Sequence, residues 1–164
     1  VRSSDRRTYA VLHSGGEAVI MSDLRLEPIP GTDPKLRSAL LEAHLPTEDI
    51  DEAGRTFFEA VSGDGETLAF SGIESCEGSC LLRSVVVLPE HRKSGIGRRV
   101  VELTLKAASD DVFLATTSAA EFFGALGFRE VRREAVPAAV LATRQLSSIC
   151  PSSATIMKLD RPPT

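Results

Sequence analysis

The chain has 164 residues, 42% of them hydrophobic, and a formal charge of −4. That length fits a single domain able to bury its own core without disulfides or a structural metal. An acidic balance with no Trp and one Tyr excludes a general nucleic-acid binder, and no apolar run reaches the roughly 20 residues of a membrane span. The three cysteines, Cys76, Cys80 and Cys150, are odd in number, and the first twenty residues lack a clean signal-peptide pattern. We therefore expect free thiols in a reducing, cytoplasmic setting. Cys76-x3-Cys80 has no matching second pair and the three His are scattered, so no metal site is expected.

Arg2, Arg6 and Arg7 precede an apolar stretch broken by His13, Gly15, Gly16 and Glu17. Met21-Ser22-Asp23 then reads as an ordinary start. Residues 1–20 are expected to be an upstream extension of a domain over 21–164, with an extra strand at Thr8–Leu12 as the alternative. Leu24 and Leu26 alternate with Arg25 and Glu27, the period of a strand. Asp33-Pro34 supplies an N-cap and a proline at the first helical position, and Leu36, Ala39, Leu40 and Ala43 make one apolar face of a helix over 34–43. The acidic 44–54 stretch, broken by Pro46 and Gly54, reads as a loop or short helix whose Glu48 and Asp49 are solvated. Strands over Thr56–Ser62, Thr67–Cys76 and Cys80–Leu88 follow, joined at Gly63-Asp64-Gly65 and Glu77-Gly78. Ile96, Val100, Leu103 and Ala107 define a helix over about 95–109. Val112–Thr116 is a short buried strand. Ser118 caps a helix from Ala119 to Leu126, which Gly127 ends, and Phe128–Arg132 is a strand. Pro137 opens a helix to about Leu146, and Thr155–Leu159 is the last strand. Strands and helices in this order predict an α/β domain with a mixed sheet.

The chemistry concentrates where a buried strand runs through a short loop into Arg92-x-x-Gly95-x-Gly97 at the start of a helix. A helix N-terminus presents free backbone N–H groups and partial positive charge, so it binds anions. Glycines at 95 and 97 let a diphosphate approach the backbone. Arg92, Lys93, Arg98 and Arg99 add positive charge to an acidic chain. Neither the dinucleotide G-x-G-x-x-G nor the P-loop pattern is present.

This segment resembles motif A of the GCN5-related N-acetyltransferases (GNAT), [QR]-x-x-G-x-[GA]. Phe122-Phe123-Gly124-Ala125-Leu126-Gly127-Phe128 is similar to the family's later F-Y-x-x-L-G-F signature. The resemblance implies one GNAT-type domain: a mostly antiparallel mixed sheet, splayed between strands 4 and 5 and flanked by helices. Within the family, Leu45–Asp49 and Val136–Ala154 look like the subgroup associated with arsenic resistance.

The resemblance implies acetyl-CoA as cosubstrate, no metal, and transfer of the acetyl group to the amine of a small molecule in a ternary complex. The pantetheine arm would pair with the backbone of Val85 to Val87, where Val86 also serves the sheet core, and the Val87 N–H would hold the oxyanion. The diphosphate would rest on the amides of Arg92, Lys93, Ser94, Gly95, Ile96 and Gly97, near Arg98. Ser118, Phe122 and Phe123 would border the same cosubstrate. The family's fourth-strand Glu corresponds to Leu81, so Glu74 or the loop carboxylates Glu48 and Asp49 stand as candidate bases. The usual Tyr acid corresponds to Phe123, which leaves unassisted thiolate departure, a water, or a hydroxyl of Ser118, Ser147 or Ser148. Arg83, placed by alternation on the acceptor side with Leu81, and Arg144 on the late helix are candidate clamps for an anionic group on an amino acid or its analogue. A homodimer is compatible with the family's habits. The rival readings are a non-catalytic acyl-CoA sensor, resting on the missing Glu and Tyr, and a thiol-based arsenical binder, resting on the three cysteines.

Overall fold

The computed structural model describes residues 10–12, 18–20, 23–108 and 110–160. Upstream, Ala10–Leu12 pairs antiparallel with Ala18–Ile20 as a two-stranded ribbon. Thr8, Tyr9 and the Met21-Ser22 start lie outside the described residues. Seven further strands build one sheet: β1 Arg25–Ile29, β2 Arg55–Val61, β3 Thr67–Cys76, β4 Ser79–Val87, β5 Asp111–Thr116, β6 Phe128–Glu130 and β7 Thr155–Leu159. Their order is β1-β2-β3-β4-β5-β7-β6. All neighbours run antiparallel except β4 and β5. The mixed α/β sheet expected from the sequence is therefore present. No helix among the described residues is long and apolar enough to cross a membrane.

Local chemistry explains the elements that position the site. The side chain of Asp33 caps α1 (Pro34–Glu42) by accepting from Lys35 N at 2.8 Å and Leu36 N at 3.3 Å. Leu36 and Leu40 of this helix are fully buried against Phe57, Phe70 and Val86, which stabilises each by about 1.5–3 kcal/mol. On the other face of the sheet, α2 (Ile96–Lys106) buries Ile96, Val100 and Val101. A buried hydroxyl pair, Ser71 and Thr104 at 2.7 Å, ties it to β3. Alternation along β4 sends Leu81 to the α1 side, with Phe113, and Leu82 to the α2 side, with Val101 and Leu114. The β3–β4 hairpin turns on Glu77 and Gly78, both left-handed, as a two-residue turn requires.

Two helix predictions need correction. Ser118 does not cap α3 (Ala120–Ala125). Its N-cap is Ala119, with no side-chain hydrogen bond, and Thr116 Oγ1 braces the turn before it by accepting from Ala119 N at 2.9 Å and Ser118 N at 3.4 Å. The helix expected from Pro137 to Leu146 is split into α4 (Ala138–Leu141) and a π turn at Gln145–Ile149. Thr143 causes the break: its Oγ1 donates to Val140 O (2.7 Å) and accepts from Leu146 N (3.4 Å), in competition with the backbone ladder.

The 44–54 stretch is a run of turns, and its Asp49 is fully buried, not solvated. Where β2 meets β3, a Cβ on Gly72 would lie 2.8 and 2.9 Å from ring atoms of Phe57. Gly72→Ala is therefore expected to cost about 1–3 kcal/mol, read as a lower urea midpoint with an unchanged slope.

Candidate functional site

The site begins with an irregularity in β4. Phe70 of β3 pairs with Val86, yet Gly72 pairs with Arg83, so Ser84 and Val85 together face Ser71 alone. Ser84 has φ +57°, the left-handed region, as a bulge demands. The bulge bends β4 away from β5. The parallel ladder between them holds only from Ser79–Asp111 to Leu81–Phe113. Beyond it the strands splay and leave a cleft of about 540 Å³ between Leu82–Val87 and Leu114–Ala119.

The bulge leaves β4 with an open edge. Leu88 N donates to Leu68 O of β3 at 3.0 Å. Alternation along an antiparallel strand therefore turns the Val87 N–H to the opposite edge, the one β5 has left. The Val87 carbonyl faces the same way and accepts from Arg92 Nε at 3.0 Å. Val85, Val86, Val87 and Arg92 all line the cleft, as do Ser118 and Phe123.

The cradle follows at once. A short turn at Pro89–His91 leads to Lys93, φ +63°, and Gly95, φ +80°, which is the N-cap of α2. Two left-handed residues around Ser94 curl the backbone so that its amides converge. The Ser94 hydroxyl donates to the His91 carbonyl and braces the loop. The hydroxyl-free cap leaves first-turn amides of α2 for an anion. Arg98 pairs on the surface with Glu102 at 3.1 Å.

Gly97 has a reason beyond the one read from sequence. A Cβ there would sit 3.3 Å from Phe122 Cζ and 3.4 Å from Val87 Cγ2. The glycine thus also admits the half-exposed Phe122 ring, which stacks edge-on to Phe123 with centroids 5.0 Å apart.

The charged candidates fall into two groups. Arg83 is 3% exposed, and its guanidinium is already engaged. Nη1 donates to Asp49 Oδ2 (2.7 Å) and Glu74 Oε1 (3.0 Å), Nη2 to Asp49 Oδ1 (2.6 Å), and Nε to Ser84 Oγ (3.3 Å). Arg55 completes the network, 3.0 Å from Asp49 Oδ2 and 3.4 Å from Glu74 Oε2. Glu74, expected as a base, thus has a guanidinium at each oxygen and stands behind the cleft wall. Burial pushes the Asp49 carboxyl up, but the hydrogen bonds and charge of Arg83, then of Arg55, outweigh it and hold the carboxyl below the usual range. Arg144 is exposed and paired with Glu52, away from the cleft lining.

The thiols do not gather. Cys76 and Cys80 are buried near the β3–β4 hairpin, and burial, then the Glu74 charge, pushes Cys76 up to about 11. Cys150 is half-buried on the cleft wall and raised by burial, against a hydrogen bond with Gln145. Among the described residues, no group of three or more His, Cys, Asp or Glu is arranged to hold a metal.

Residues 53–130 match a family model described as an acetyltransferase (GNAT) domain. Solved structures agree on the fold. A putative acetyltransferase from Exiguobacterium sp. 255-15 is 26% identical, with 68% of this chain and 89% of that one covered and a TM-score of 0.53. A GNAT-family acetyltransferase from Staphylococcus aureus is 18% identical over 82% of this chain and 98% of that one, with a TM-score of 0.59. The N-acetylglutamate synthase of Neisseria gonorrhoeae, complexed with coenzyme A and L-arginine, is 18% identical over 84% of this chain and 34% of that one, with a TM-score of 0.63. No curated protein matches the chain.

Proposed function

We propose that this GNAT domain transfers the acetyl group of acetyl-CoA to the amine of a small molecule, by direct attack in a ternary complex. One observation carries the proposal: the edge of β4 that β5 abandons ends at the cradle of α2, so an extended acyl carrier and its diphosphate find their partners in one line. The coenzyme A complex of the Neisseria enzyme supports the same cosubstrate. Val85 and Val87 would pair with the pantetheine amides. The diphosphate would lie on the amides of Arg92, Lys93, Ser94, Gly95, Ile96 and Gly97, with Arg98 adding charge, and Ser118, Phe122 and Phe123 would flank the thioester arm.

The amine nitrogen attacks the thioester carbonyl, and the Val87 N–H holds the oxyanion; losing such a donor costs about 10²–10³ in rate. The C–S bond then breaks. Phe123 has no proton to give, so the thiolate leaves as such, which a thiol pKa near 8.5 permits. With Glu74 held by Arg55 and Arg83, the ammonium proton passes to water. The two segments that look like the arsenic-resistance subgroup both line the cleft, the first through Leu45 and Pro46 and the second through Gln145, Ile149, Cys150 and Pro151. That kinship would therefore concern the acceptor and not the cosubstrate.

Acetyl-CoA at about a hundred times its dissociation constant is expected to stabilise the protein by about 2.7 kcal/mol. CoA thiol should then be released only when an amine is present. A shift without release for any amine would make the protein an acyl-CoA sensor. No shift in a folded protein would sink the proposal.

A further inference from the structure

The acceptor end of the cleft holds a buried carbonyl with no partner. Gln145 opens the π turn Gln145–Ile149, is 6% exposed and lines the cleft beside Cys150. π turns recur at functional sites. Among the described residues, its Oε1 is buried and has no hydrogen-bond partner. The same side chain lies beside the Cys150 sulfur. The carbonyl oxygen is left for the cleft. Buried side-chain oxygens are nearly always paired, so a bare one on a cleft wall marks where a donor binds.

We propose that Gln145 Oε1 accepts a hydrogen bond from the N–H of the acceptor amine, and that the acceptor is a monoamine whose body carries neither a carboxylate nor a second cation. The inference rests on the acetyltransferase reading above. The charge of the lining sets the class. Among the described residues, no Asp or Glu lines the cleft, so the second ammonium of a polyamine finds no counter-ion there. Arg83, the buried cation at that end, commits at least four of its five N–H groups to Asp49, Glu74 and Ser84, so it cannot clamp a carboxylate. The lining also holds His44 and, next to it and toward Cys150, the apolar Leu45, Pro46 and Ile149. An aryl or alkyl body fits such walls, and the amine is oriented by the one bare oxygen.

The test uses the full chain, 2-phenylethylamine, L-phenylalanine and spermidine, with CoA thiol release and acetyl-CoA-induced melting shifts measured together. We expect kcat/KM for 2-phenylethylamine to exceed that of the other two by about tenfold or more. Gln145→Met should raise KM for 2-phenylethylamine about tenfold, the loss of one hydrogen bond, with kcat nearly unchanged. Gln145→Glu, which keeps an acceptor oxygen, should restore KM. Both variants should keep the acetyl-CoA melting shift, which reports that they fold. An unchanged KM in Gln145→Met overturns the inference. So does a preference for L-phenylalanine or spermidine, or no turnover of any of the three by wild type that still shows the shift. Absence of the shift in wild type overturns the acetyltransferase reading, and the inference falls with it.

Discussion

Asp49→Ala should lower stability by about 3–5 kcal/mol, among the largest losses a single substitution in this chain can produce. The carboxylate is fully buried and accepts from Arg83 at 2.6 and 2.7 Å and from Arg55 at 3.0 and 3.2 Å. Removing it leaves two guanidiniums, each nearly out of water, to share Glu74. Breaking a buried pair from one side costs more than the pair contributes, because the orphaned charge remains. Thermal melting should fall by roughly 6–20 °C. The damage should also reach the acceptor side, since the 44–46 residues that wall the cleft are anchored through Asp49 to β2 and β4. Acetyl-CoA should still stabilise the variant, because the cradle lies on α2. A loss below about 1 kcal/mol would mean that water reaches the network, as it does for surface pairs.

The same group sets an acid limit. The folded Asp49 carboxyl titrates below its unfolded value near 3.9, so its contribution is complete above that value. It is lost as pH falls through the lower, folded pKa. Stability of the wild type should thus decline steeply below about pH 4. Asp49→Asn, already weaker at neutral pH, should show a shallower acid decline in urea midpoints taken from pH 3 to pH 7.

These expectations depend on contacts that the sequence does not display. Asp33-Pro34, the Glu77-Gly78 turn and the left-handed Gly127 obey rules that span four residues or fewer, and each reads directly from the chain. Arg92-x-x-Gly95-x-Gly97 is legible for the same reason: an anion cradle is a local object. The bulge at Ser84 has no such signature, because a left-handed serine inside an apolar strand looks like any other strand residue. Asp49 is 34 residues from Arg83, and a charge amid HLPTEDIDEAG reads as solvated until its partner is known. The apolar period through Pro137–Leu146 could not reveal that the Thr143 hydroxyl breaks the ladder and so sets Gln145 on the cleft wall.

Gly95→Asp should weaken acetyl-CoA binding about a hundredfold or more while leaving the fold in place. At φ +80° the position favours glycine, yet aspartate tolerates the left-handed region better than most residues and is a preferred N-cap. The cost to the free protein should therefore stay near 1 kcal/mol. The carboxylate, however, would stand where the diphosphate is proposed to sit. Two like charges about 4 Å apart at a protein surface repel by up to about 4 kcal/mol, well over the 2.7 kcal/mol that corresponds to a hundredfold in affinity. Gly95→Asn separates charge from shape: it carries the same strain without the carboxylate, and it should lose far less affinity. The contrast should shrink as salt is raised, since the cradle is open to solvent. Equal losses in the two variants would assign the effect to backbone strain. Wild-type affinity in Gly95→Asp would place the diphosphate somewhere other than the N-terminus of α2.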